Sequence, residues 1–253
     1  MSQPWEIYDA LIDGLPDDVV VRTAGQGPRW SRVLNSAGGV GTAWTMDVRS
    51  RPALSEDGPL DGRALRDVGA LAKSWNLAEA SIGQAAINSW YSREQTAADN
   101  GFEPTGEGLT WRQVFDPYRE MIVGKRVAVI GHFPFAEAAL AGAGEYICLE
   151  RNLQPGDWPD SACEYVLPEC DLVFISSSSF VNKTAPRLIE LSRQAHTVLV
   201  GPSTPLNPVL LDYGVDTITG FIAASSLSDP ASLAEMVPAG DIGPGFRVHR
   251  HRA

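Results

Sequence analysis

The sequence predicts a two-part α/β fold: an N-terminal α+β half followed by a Rossmann-like, mostly parallel sheet. Three observations carry this. From Val127 onward, short apolar runs alternate with helical patterns, as expected of strands buried on both faces and connected through helices. Before that point the apolar positions alternate and break at glycines, which suits antiparallel strands. At 253 residues, 44% hydrophobic and 20% charged, the chain can bury a substantial core.

The first half opens with a helix over 5–15 and continues through "DDVVVRTA", "SRVLN" and "GVGTAWTMDV" as strands. "GRALRDVGALAKSW" then puts Leu65, Val68, Leu71 and Ala72 on one helical face. "LAEASIGQAAINSWYS" follows with Ile82, Ala86 and Trp90 in register, and its small residues allow close helix packing. The polar, Gly-rich segment 92–110 reads as a mobile loop, and the boundary falls near 110–125, giving domains at 1–110 and 111–253. In the second half the expected strands are 126–131, 145–150, 171–176, 197–201 and 216–221, separated by helices near 134–142, 160–168, 184–194, 205–212 and 228–237. The C-terminal "RVHRHRA" reads as a solvated end.

A formal charge of −11 and scattered basic residues disfavour nucleic-acid and anionic membrane surfaces as partners. There is no basic leader before an apolar segment and no apolar run long enough for a membrane span, so a cytoplasmic location is expected. Cys148, Cys163 and Cys170 show no C-x-x-C spacing and read as buried reduced thiols. No cluster of thiolates or imidazoles stands out, so residue chemistry predicts no metal.

Ligands of open parallel sheets bind outside the carboxyl ends of the strands. Those ends are polar or conformationally restricted here: "GHFPF" (131–135), Glu150-Arg151-Asn152, "SSSSFVNKT" (176–184) and "GPSTPLNP" (201–208). Unpartnered buried hydroxyls cost about 1–3 kcal/mol each, so the serine run needs partners. Ser179, Asn182 and Thr184 suit helix capping, and a ligand or water in a cleft accounts for the rest. Glu150 stands 19 residues beyond Gly131, close to the spacing at which nucleotide-binding folds set an acid against ribose. The first loop lacks G-x-G-x-x-G, and Pro134 removes an amide donor, which argues against a dinucleotide. S-adenosylmethionine, with no pyrophosphate, stays compatible. His132 reads equally as a hydrogen-bonded structural imidazole or as an acid/base group. The prolines of 201–208 would hold Ser203 and Thr204 in place before a ligand arrives.

"VGKRVAVIGHFPF", "DLVFISSSSFVNKT" and "GPSTPLNPVLLDYGVDTITG", with "ASIGQAAINS" and "GGVGTAWT", resemble the family of unknown function described as "putative heavy-metal chelation". The resemblance implies an enolase-N-terminal-like half, a Rossmann-like half partly similar to methyltransferases, and an active site between them. It implies His132 and Asn182 as catalytic. Gly131, Phe133, Glu150, Arg151, Ser176 and Ser177 would bind a cofactor, and Thr42, Asn88, Ser203 and Thr204 a substrate. At 176–179 four serines stand where relatives often show a Thr-Gly turn.

Two functions follow as expectations. One is a small-metabolite enzyme with an interdomain cleft, an S-adenosylmethionine-dependent transferase or cyclase in metallophore or specialised-metabolite biosynthesis. The alternative is a non-catalytic binder of a heavy metal or metal chelate. The expected partner is a small-molecule ligand, and a homodimer is kept open as the assembly.

Overall fold

A computed structural model describes residues 3–50, 53, 58–106 and 111–252. The N-terminal half contains α1 (Glu6–Asp13), β1 (Val21–Gln26), β2 (Trp30–Asn35), β3 (Val40–Trp44), α2 (Leu65–Ala70), α3 (Leu77–Tyr91), α4 (Glu94–Asp99) and β4 (Glu103–Pro104). The C-terminal half contains β5 (Arg126–Ile130), α5 (Ala136–Ala139), β6 (Glu145–Glu150), β7 (Trp158–Pro159), α6 (Cys163–Val166), β8 (Leu172–Ser176), α7 (Ala185–Leu191), β9 (His196–Val200), α8 (Val209–Asp212), β10 (Thr217–Ala223), α9 (Pro230–Ala239) and β11 (Gly245–His251). The five expected strands of the second half are β5, β6, β8, β9 and β10.

Strands β1-β2-β3 form an antiparallel meander on which α3 packs. The close approach depends on two glycines. A Cβ on Gly41 would lie 1.9 Å from the Ala85 carbonyl oxygen, and one on Gly83 would lie 2.0 Å from the Ala72 nitrogen. With α2 on another side, α3 is buried along almost its whole length, so its small residues serve contact on several faces. Leu65, Val68, Leu71, Ala72, Ile82 and Ala86 are buried and Trp90 is half-buried.

The eight-stranded sheet has the order β4-β11-β10-β9-β8-β5-β6-β7. Strands β10 through β7 in that order run parallel, and β11 and β4 close one edge antiparallel. The chain moves outward from β5 to β6 and β7, then returns to lay β8 on the other side of β5. The switch point therefore lies between β5 and β8.

Three expectations are corrected. The C-terminal "RVHRH" is strand β11, in register with β10 from Thr217↔His251 to Ala223↔Gly245. Its charges hide the strand pattern, although Val248 and Arg247 are buried. The segment expected to be a mobile loop carries α4 and β4, anchored by buried Phe102; its residues 107–110 lie outside the described residues. The helix expected over 205–212 begins only at Val209, because Pro205 and Pro208 donate no amide hydrogen and Asn207 Oδ1 instead accepts from Val209 N at 2.9 Å. The described residues contain no helix long and apolar enough to cross a membrane.

Candidate functional site

Where β5, β6 and β8 end, a cleft of about 110 Å³ opens at the switch point. Register explains how it forms. Ile130 pairs with Leu149 on one side and Ile175 on the other, so Gly131, Glu150 and Ser176 leave the sheet side by side. Gly131 has φ 100°, and a Cβ there would meet Ser176 Cβ at 2.9 Å; glycine is needed for both reasons. Of the residues expected at a cofactor or catalytic site, Gly131, Glu150, Arg151, Ser176 and Asn182 line this cleft. Ser178, Ser179, Thr184 and Asp160 also line it.

The serines divide their work. Ser176 and Ser178 hydroxyls share a hydrogen bond of 3.0 Å. Ser179 is 3% exposed, and its Oγ has no partner among the described residues. Asn182 Oδ1 accepts from Thr184 N at 3.1 Å and Thr184 Oγ1 at 2.6 Å, shaping the turn into α7. Arg151 Nε donates to Asp160 Oδ2 at 2.9 Å.

Glu150 binds its own protein. Its carboxylate accepts from His132 N at 2.9 Å, Arg151 N at 2.6 Å and Asn152 N at 2.9 Å, tying the loops after β5 and β6 together. His132 is not among the residues that line the cleft; its ring faces Asp157. His132 Nδ1 lies 3.0 Å from Asp157 Oδ1 and 4.0 Å from Cys148 Sγ. One ligand atom from each of His132, Cys148 and Asp157 falls within 4.8 Å of the others. The Asp157 side chain is 3% exposed and that of His132 is 36% exposed, so the imidazole stands between the buried acid and solvent. Burial works against the charge of Asp157, yet the Gln154 N–H, the Cys148 thiol and His132 together hold its carboxyl below the usual carboxylate range. Burial, followed by the neighbouring Asp157, pushes the Cys148 thiol up to about 12. A metal ion would displace that thiol proton, as thiolate ligation does.

The donor set fits a borderline divalent ion. Tetrahedral zinc with ligand bonds of about 2.0–2.3 Å sets its donors roughly 3.3–3.7 Å apart, a separation bracketed by the distances here. Nitrogen, sulfur and oxygen from three protein residues leave the fourth position for water or a ligand. The sequence signal was faint: residues 132, 148 and 157 match no motif spacing, and Cys148 sits inside an apolar strand. Its parity with Glu150, two residues on along β6, was the usable cue, since such residues share a face.

The other expected residues lie elsewhere. Ser203, Thr204, Ser177, Thr42 and Asn88 are buried in a polar seam between the two halves. Ser203 Oγ accepts from Trp44 N at 2.8 Å, and Ser203 N donates to Ser177 Oγ at 3.1 Å. Gln84 Nε2 donates to Ser203 O at 3.2 Å, and Asn88 Nδ2 donates to Thr42 O at 2.8 Å. Thr204 Oγ1 donates to Gly201 O at 2.7 Å. The stiff proline loop thus holds its hydroxyls against the N-terminal half rather than in the cleft. Phe133 packs on Phe115 and Phe135, with ring centroids 5.8 and 6.0 Å away.

Comparison with known proteins bears on both halves. A family model described as "putative heavy-metal chelation" matches residues 113–247, and a second with the same description matches residues 8–91. No curated protein matches the chain. Among solved structures, a protein of unknown function from Desulfitobacterium hafniense DCB-2 is 37% identical over 98% of each chain, with a TM-score of 0.84. One from Pyrococcus horikoshii, also of unknown function, shares the fold at TM-score 0.78 and 21% identity, over 98% of this chain and 99% of that one. With the first model spanning more than half of its length and the Desulfitobacterium structure aligned from end to end, this chain belongs to the DUF364 family.

Proposed function

We propose that the chain binds a borderline divalent metal ion through His132, Cys148 and Asp157, and that the adjoining cleft receives the organic part of a chelate of that ion. The observation that carries this is the convergence of an imidazole, a thiol and a carboxylate from three separate segments within 4.8 Å. The family description agrees with it. The ion would supply Lewis acidity and one exchangeable position, while His132, Cys148 and Asp157 supply the fixed donors. Glu150 couples the two places, since one carboxylate positions both His132 and Arg151 through their amides. In the cleft, the unpartnered Ser179 hydroxyl and the Arg151 guanidinium would meet oxygen groups of the ligand.

The catalytic version of this reading is an S-adenosylmethionine-dependent transferase or cyclase of metallophore or specialised-metabolite biosynthesis, with His132 and Asn182 at its centre. The switch-point position supports it. Two observations weigh towards the binder: the cleft of about 110 Å³, well below the roughly 300–1,000 Å³ of sites that enclose drug-sized ligands, admits a small part of a chelate but not a whole S-adenosylmethionine, and Glu150 is held by three amides rather than left for a ribose.

Calorimetric titration of metal-free protein with Zn²⁺ and Ni²⁺ tests the proposal. One ion should bind per chain, and Cys148→Ala or Asp157→Ala should weaken binding by more than the roughly 10–100-fold typical of groups behind the ligands. Absence of heat, or equal binding by both variants, would overturn it. A parallel titration with S-adenosylmethionine decides the catalytic version.

A further inference from the structure

On the other side of α7 lies a larger cavity of about 520 Å³, walled by the N-terminal Ile7 and Trp75 and the C-terminal Lys183, Ile189 and Tyr213. The turn into α7 serves both places. Asn182 and Thr184 line the polar cleft, whereas Lys183 between them lines this cavity. That alternation is achieved at φ 67°, which makes Lys183 the one non-glycine residue with positive φ among the described residues. Such a conformation costs about 1–2 kcal/mol relative to the right-handed one, and residues held this way cluster at ligand sites.

Lys183 is half-buried, and its Nζ donates to Val181 O at 2.8 Å. Burial, offset in part by the Glu79 carboxylate, pushes its ammonium down to about 7. The other charged or titratable groups on the wall are Arg187, Arg193, Glu190, Asp212 and Tyr213. Arg187 is spent on Glu164 and Glu190. The wall is mixed: Pro4, Ile7, Trp75, Pro186, Ile189 and Tyr213 supply its apolar part beside the charged groups, and a partly desolvated lysine there is an amine nucleophile near neutral pH.

We infer that this cavity is a second ligand site, for a small aldehyde or ketone with an aromatic or apolar body, and that Lys183 captures it as an imine. The neutral Nζ adds to the carbonyl carbon. One amine proton moves to the carbonyl oxygen to give the carbinolamine; its hydroxyl then leaves as water with the remaining N–H proton, so the C=N bond forms with no oxidant. This site is independent of the metal reading.

The chain contains three lysines, which makes the test internal. Lys73 pairs with Asp9 and Lys125 with Asp171, and both serve as controls. The full chain is incubated with 4-carboxybenzaldehyde at neutral pH, trapped with borohydride and mapped by peptide mass spectrometry. Lys183 should be labelled about tenfold or more faster than Lys73 and Lys125, whose amines are held in ion pairs with Asp9 and Asp171 and line neither this cavity nor the cleft. The rate should saturate with aldehyde, and Lys183→Arg should remove the fast label. Lys183→Gly should do the same while raising the melting temperature by relieving the strain. Equal labelling of the three lysines, or a rate linear in aldehyde, would overturn the proposal.

Discussion

Glu150 shows how one side chain can set the geometry of two places without binding anything foreign. Its three amide hydrogen bonds position His132 on one side and Arg151 on the other, so it acts as a positioning residue behind the metal ligands. Glu150→Ala should weaken Zn²⁺ binding roughly 10–100-fold with little change in melting temperature, as read by competition titration with a chromophoric chelator. Tyr8 is a structural counterpart: its buried hydroxyl donates to Phe180 O at 2.7 Å, across the two halves. Tyr8→Phe should cost about 1–3 kcal/mol in urea unfolding, because a buried carbonyl loses its partner. At this scale the sequence reveals polarity better than purpose. Glu150, Arg151 and Asn182 were legible because strand ends are where ligand sites form. Asp157 was not, since an acid within "QPGDWP" looks like any turn residue. Ser203 and Thr204 were legible as placed hydroxyls but not as seam residues, because a hydroxyl buried between two halves has the same signature as one facing a ligand.

Among the elements, α3 is the most constrained. Gly83→Ala would drive a methyl group into the backbone at Ala72, and overpacking of this kind costs about 1–3 kcal/mol or more; a lower thermal midpoint should show it. The part of the sheet formed by β9, β10 and β11 should be acid-sensitive. His196 and His249 are held below the usual histidine range, chiefly by burial and further by the neighbouring His251, whose ring centroid lies 4.8 Å from that of His249. Unfolded histidine binds its proton at about pH 6.5, and these two do so lower in the fold. Between those values the unfolded chain binds more protons, so stability falls as pH drops below about 6.5 and is unaffected above it. Urea midpoints at pH 7.5 and 5.5 should differ, and His249→Gln should narrow the gap. The apolar strands β5, β6, β8, β9 and β10 were legible because burial on both faces leaves uninterrupted apolar runs. Strands β4 and β11 were not: the edge strand β4 can carry proline and charge, and β11 pairs with β4 at Val248 and His249 alone among the described residues, so it too can carry charge.

At the scale of the whole molecule, the two halves share one core. The largest apolar cluster runs from Ile7 in α1 to Val248 in β11. Trp44 N reaches Ser203, Asn100 Nδ2 donates to Leu206 O at 2.9 Å, and the buried Arg32 guanidinium donates to the Asp241 and Ile242 carbonyls. Unfolding should therefore be a single cooperative transition, with circular dichroism and tryptophan fluorescence giving coincident curves. The polar seam around Ser203 and Asn88 is closed by packing and hydrogen bonds, so the polar cleft lies beside the switch point, while the space left between the halves is the cavity bounded by Ile7, Trp75, Lys183 and Tyr213. The central claim, a metal held where β5 and β6 end, is tested most directly by adding cobalt(II) to the metal-free chain and recording its absorption spectrum. A thiolate-to-cobalt charge-transfer band with intense tetrahedral visible bands, lost in Cys148→Ser, is the predicted result. The weak spectrum of hydrated octahedral cobalt, or a charge-transfer band that survives Cys148→Ser, would contradict it.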